Sequence, residues 1–78
     1  MNRNLVLDRL AQLERQLARG EVCVNSQRAA LCRLEFSGED ATAAREILAR
    51  HVTSQAGLRA TRDRLRAELM QLEVYANL

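Results

Sequence analysis

Aliphatic residues return at alternating intervals of three and four along this chain, and they do so in both of its halves. In the first half one line is Leu10, Leu17, Val24 and Leu31, and the other is Val6, Leu13, Gly20, Gln27 and Leu34. In the second half the lines are Ala41, Leu48, Gln55, Arg62, Leu69 and Ala76, and Ala44, His51, Leu58, Leu65 and Leu72. That spacing keeps one stripe on one side of a helix and is the repeat of a left-handed coiled coil. The absence of proline allows each helix to run uninterrupted.

Between the halves lies Phe36-Ser37-Gly38-Glu39-Asp40. Gly38 can take the left-handed conformation that ends a helix. Asp40 can accept from the unpaired N–H groups that open the next one, and Ser37 with Asp40 is an alternative cap pair. Asn4 or Asn2 caps the first start. The expectation is an all-α antiparallel two-helix hairpin in one domain spanning residues 1–78, with a helix over about 4–36, a turn at 37–40 and a helix over about 40–75. Each helix is then about 50 Å long, and a connection this short leaves only antiparallel neighbours.

Folding back at the turn pairs Leu31 with Ala44, Gln27 with Leu48, Val24 with His51, Gly20 with Gln55, Leu17 with Leu58, Leu10 with Leu65 and Val6 with Leu69. The polar seam residues Gln27, His51 and Gln55 gather near Gly20, and Arg62 falls between Leu10 and Leu13, where Glu14 can pair with it. Gly costs about 1 kcal/mol relative to Ala inside a helix. Because the repeat keeps its phase on both sides of Gly20, close packing explains this glycine better than a bend.

Two helices of this size bury little. A second stripe, Ala11, Ala18, Val22 and Ala29 with Ala49, Ala56, Ala60, Ala67, Met70 and Val74, is the candidate surface for a homodimer that closes into a four-helix bundle. The bland alternative is that alanine favours helix on an exposed face. Ile47 and Val52 widen the main seam.

His51, the one histidine, reads as a polar residue that fixes register; the alternative is a protonation switch that loosens the bundle below neutral pH. Cys23 and Cys32 fall on opposite faces of one helix about 13 Å apart, so no disulfide joins them there. With one histidine they make no four-ligand zinc set, and they read as small buried apolar residues. The run Arg59-Ala60-Thr61-Arg62-Asp63-Arg64-Leu65-Arg66 is the densest basic segment. Asp63 interrupts it, Glu68 follows Arg64 at i+4, and no aromatic residue stands by to stack on bases, so a solvated face is expected over a nucleic-acid site. Glu46 and Arg50 are a further i,i+4 pair.

Net charge is +2, with both signs interspersed, which is not a polyanion footprint. All twelve basic residues are arginine, a bias we attribute to a GC-rich genome. The start of the chain has no signal-peptide pattern and no segment is long enough to span a bilayer, so the expectation is a cytoplasmic, bacterial chain. No phosphate-binding glycine loop or nucleophile–base arrangement is present, and neither catalysis nor a cofactor is expected.

The pattern Gly20-Glu21-x-x-Val24-x-x-Gln27-Arg28-x-x-Leu31-x-x-Leu34, then Gly38-x-Asp40-x-x-x-Ala44-x-x-x-Leu48, then Gln55, then Arg62-Asp63-Arg64-Leu65, resembles short helical-hairpin proteins of rhizobia and related alphaproteobacteria. The likeness covers residues 14–66 and implies a cytosolic hairpin without assigned catalytic or ligand residues. In length and architecture the chain is also similar to the small hairpin co-chaperones of type III secretion needle subunits, which implies a partner helix on one face. A Rop-like RNA-binding hairpin dimer is a further analogue.

Overall fold

The computed structural model describes residues 2–78. Helix α1 spans Arg3–Ser37 and helix α2 spans Thr42–Ala76, so the expected hairpin is present, with each boundary within two residues of the sequence reading. Asn2 is the cap of α1: its Oδ1 accepts from the Leu5 N–H at 2.9 Å. That satisfies one of the donors a helix start leaves without a partner.

At the other end α1 stops because Gly38 turns left-handed, with φ 75° and ψ 13°. The Gly38 N–H then reaches the Glu35 carbonyl at 3.2 Å and the Glu39 N–H reaches the Leu34 carbonyl at 3.0 Å. Two last-turn carbonyls are thereby satisfied, in the Schellman arrangement. The Ser37 hydroxyl faces backwards, 3.0 Å from the Leu34 carbonyl and 3.1 Å from Glu39 Oε2. The expected cap pair of Ser37 with Asp40 therefore does not form, because Ser37 is still helical and its oxygen is used by its own last turn. Asp40 starts α2 instead. Its Oδ1 accepts from the Thr42 N–H at 3.0 Å and from the Thr42 hydroxyl at 2.7 Å, while Ala41 at the cap position is buried.

The hairpin measures 62 × 15 × 14 Å and its radius of gyration is 17.8 Å, well above the roughly 11–12 Å of a compact chain this long. An elongated two-helix body has one line of burial and no centre. Val6, Leu10, Leu13 and Leu65 form the tightest cluster, with Leu58, Leu69 and Leu72 packed against it. Leu17 and Val24 continue it, and both are buried. Toward the turn Leu31, Leu34, Ala44 and Leu48 are only half-buried. The seam is thus tight at the termini and looser at the turn.

Leu13 is 3% exposed within the main cluster. Leu13→Ala should lower the unfolding free energy by about 2–4 kcal/mol, read from urea titration. The Thr42 hydroxyl, the Thr42 N–H and then Arg45 hold the Asp40 carboxyl below its ordinary value of 3.8. A lowered folded value means that its contribution is complete above 3.8 and is lost as pH falls through the folded value. Asp40→Asn should therefore flatten the acid limb of the stability profile below about pH 4 and leave the slope near neutrality unchanged.

Candidate functional site

At the middle of the seam the two helices interlock at one glycine. Gly20 has no side chain, and the Gln55 carboxamide occupies the space. A Cβ built on Gly20 would lie 2.5 Å from Gln55 Cδ and 2.9 Å from Gln55 Nε2. Gln55 is 6% exposed, and its Nε2 donates to the Leu17 carbonyl at 3.0 Å. Close packing, not a bend, is the reason for Gly20. One turn toward the hairpin bend, Gln27 Nε2 donates to His51 Nδ1 at 2.9 Å, while Gln27 Oε1 is buried without a partner. His51 itself is exposed. It sits on the rim of the seam and not inside it.

Arg62 lies with its stem in the seam, its side chain about one quarter exposed at 25%, but its partner differs from the expected one. Arg62 Nε pairs with Asp63 at 3.1 Å, and Glu14 is taken by Arg66 at 3.1 Å. The reason is position on the helix. Arg62 belongs to the buried line, whereas Glu14 stands on one flank of α1, and Arg66 stands on the flank of α2 that faces it.

That flank carries an ordered set of charges which the sequence reading missed. Glu14 bonds Arg66, and Glu35 bonds Arg45 at 3.6 Å. Glu21 and Arg59 occupy the same register between these two pairs and line one shallow groove together. Three acids stand on α1 with Arg28 among them, and three arginines on α2 with Val52 among them. Arg3 and Glu73 close the terminal end at 3.5 Å. The signal was available: Glu14, Glu21, Glu35 and Arg45, Arg59, Arg66 keep the seven-residue spacing beside the seam.

The opposite flank is different. It presents Gln16, Cys23 and Ala30 on α1 and Ile47, Ser54 and Thr61 on α2, with Arg9 and Glu68 at the terminal end. Here Arg19, Gly20, Cys23, His51, Ser54 and Leu58 line an open groove. Cys23 and Cys32 are both exposed free thiols, which corrects the expectation that they are buried. Cys23 stands on this flank, and Cys32 stands on the outer edge in line with Ala11 and Ala18.

The ten residues of the second stripe are all exposed, Ala11, Ala18, Val22, Ala29, Ala49, Ala56, Ala60, Ala67, Met70 and Val74 alike. They are not gathered into one surface. In each helix they lie roughly 150° around from the seam, so the α1 set and the α2 set point in opposite directions along the two outer edges. Ile47 and Val52 stand beside the seam, 41% and 38% exposed.

The basic segment does not act as a block. Arg62 turns to Asp63, Arg66 to Glu14, and Arg64 Nη2 donates to the Thr61 hydroxyl at 3.2 Å. Glu46 and Arg50 stay apart. The arginines without ion pairs that do cluster are Arg9, Arg15 and Arg19, which line an open groove of α1 with Gln12 and Gln16. Among the described residues, no three His, Cys, Asp or Glu side chains are placed to hold a metal ion, and no helix is long and apolar enough to cross a membrane.

Compared with family models, curated proteins and solved structures, the chain matches none of them.

Gly20 and Gly57 predict opposite outcomes for one substitution. A Cβ on Gly57 would meet nothing within 4 Å, so Gly57→Ala should stabilise α2 by about 1 kcal/mol. Gly20→Ala must expel the Gln55 carboxamide and break its bond to Leu17, and should destabilise by about 1–2 kcal/mol despite the same helical gain. In a Gln55→Ala background the loss should vanish, and chemical denaturation of the four proteins of that cycle reads the coupling directly.

Proposed function

We propose that this chain is a non-catalytic protein–protein interaction and assembly module, and that its working form is a homodimer closing into a four-helix bundle. The observation that carries the reading is the imbalance between what the hairpin buries and what it leaves out. Val6, Leu10, Leu13, Leu17, Val24, Ala41 and Leu65 are its buried apolar side chains among the described residues. Val22, Phe36, Met70, Val74 and Tyr75 stand at 68%, 97%, 68%, 57% and 74% exposure. A single seam of that size gives a marginal domain, and a second layer of helices is the ordinary remedy. The grooves described above are shallow and open, not the enclosed cleft a small-molecule site needs, which supports a role without catalysis.

The resemblance to the rhizobial hairpins supports a cytoplasmic, bacterial setting for such a module. One observation favours a second reading, a co-chaperone binding a foreign helix: Ala67, Met70, Val74 and Tyr75 form a mainly apolar groove at the end of α2, of a kind that accepts an amphipathic helix. An RNA-binding dimer would use the Arg9, Arg15 and Arg19 groove, and its affinity would fall steeply with salt.

Sedimentation equilibrium at tens of micromolar should give twice the 8.8 kDa chain mass. A chain that stays monomeric and is captured by a foreign helix would instead establish the co-chaperone reading.

A further inference from the structure

The hairpin, 62 × 15 × 14 Å, carries a face on either side of its seam, and the two differ in charge. On the Glu14 face nearly every flank position is charged: Glu14 pairs with Arg66 and Glu35 with Arg45, while Glu21, Arg28 and Arg59 line one groove without an ion pair among the described residues. A second body docking there would have to strip water from these charges, at a cost that exceeds their attraction unless new partners are supplied. On the Cys23 face the positions beside the seam, Gln16, Cys23 and Ala30 with Ile47, Ser54 and Thr61, are uncharged over about 20 Å, and Arg19 stands further out on the groove they border. The half-buried seam residues Leu31, Leu34, Ala44, Leu48 and Leu58 are the apolar floor that a second layer would cover. At the terminal end of this face stand Arg9 and Glu68. They line one groove with Thr61, Arg64 and Leu65, yet neither makes an ion pair among the described residues.

We infer that the Cys23 face is the docking surface for a second copy of this chain, with the two turns at the same end of the assembly; this rests on the homodimer reading above. Size supports the occupant. The hairpin is 62 Å long, so a strip about 13 Å wide along it supplies the roughly 800 Å² per partner of a standard interface. Charge selects the orientation. Two hairpins can meet face to face about a two-fold axis in only two ways with every neighbouring helix pair antiparallel. With the turns at the same end, α1 of one copy lies over α2 of the other. Arg9 then meets Glu68 of the other copy twice, giving an alternating square of four charges, and Ala30 meets Ile47, Cys23 meets Ser54 and Gln16 meets Thr61. With the turns at opposite ends, α1 lies over α1. Arg19, near mid-helix, then meets its own copy, and Glu68 lies over Ile47. The first arrangement pairs charge with charge and apolar with apolar; the second sets like charge against like.

The test is a set of surface variants read by sedimentation, with helical circular dichroism confirming that each hairpin stays folded. Cys23 and Ser54 are exposed in the single hairpin, so Cys23→Glu and Ser54→Glu leave its core untouched. Each should raise the dimer dissociation constant by at least about 100-fold, since two carboxylates would enter a covered face. Ala18→Glu and Ala56→Glu, on the outer edges, should leave it within about threefold of the unmodified chain. Arg9→Glu should weaken the dimer and Glu68→Arg, added to it, should restore it. For orientation, a spin label on Glu39→Cys, in a chain also carrying Cys23→Ser and Cys32→Ser, should give an interprotomer distance of about 20–25 Å, two helix widths. A distance near the 62 Å hairpin length overturns the orientation. Dimers that survive Cys23→Glu and Ser54→Glu but are lost with Ala18→Glu or Ala56→Glu overturn the face and leave the homodimer standing. A chain monomeric at every concentration overturns both.

Discussion

The Gln55 carboxamide, seated where Gly20 lacks a side chain and bonded to the Leu17 carbonyl, fixes how the two helices meet. Leucine seams are tolerant of sliding, because one leucine fills a hole much as another does. A buried amide is not tolerant. Moved by one turn, it would lose its acceptor and meet a side chain where Gly20 now leaves room, and an unmet buried polar group costs on the order of 1–3 kcal/mol. The pair is therefore a register device in the sense known from polar residues in coiled-coil seams. It also explains why a residue that weakens helices stands in the middle of α1.

The second ordering device is the charge set on one flank. Acids on α1 and arginines on α2 meet when the chain folds back at Gly38. If two α1 helices from different chains paired antiparallel along this flank, Glu14 would face Glu35 and only Glu21 would find Arg28, and two α2 helices would set Arg45 against Arg66. The flank thus favours the intrachain hairpin over interchain pairing of like helices, though each exposed pair contributes only about 0.2–1 kcal/mol. Register comes from the amide inside the seam, and partner choice from charges beside it.

Much of this could be read directly from the sequence, and the failures have a common cause. The seam, the turn at Gly38 and the approach of Gln55 to Gly20 all follow from a single periodicity and one exceptional residue type. The positions beside the seam needed the same periodicity carried one step further. Glu14 was assigned to Arg62 because the two are near in height along the bundle, but height is not azimuth: Arg62 points into the seam and Arg66 points along the flank. The cysteines were read from residue type, and small sulfur side chains are commonly buried; here their place in the repeat puts Cys23 on a flank and Cys32 on an outer edge. His51 occupies a seam position in the repeat, yet its ring is long enough to leave the seam and bond Gln27 from the rim. The alanine stripes were read as one surface because each is regular; only the antiparallel arrangement reveals that they face apart.

A hairpin with equivalent faces could stack without limit, because each added copy would present the face that recruited it. This one has a flank that is charged along almost its whole length and a flank whose middle is uncharged, with Arg9 and Glu68 at its end. Pairing through the second face would consume it in both copies at once, since a two-fold axis applies the same surface twice. What would remain outward is the Glu14 flank, the alanine edges and the apolar end around Met70, Val74 and Tyr75. Charge placement of this kind, more than the amount of apolar surface, is what would make an assembly of these hairpins stop at two.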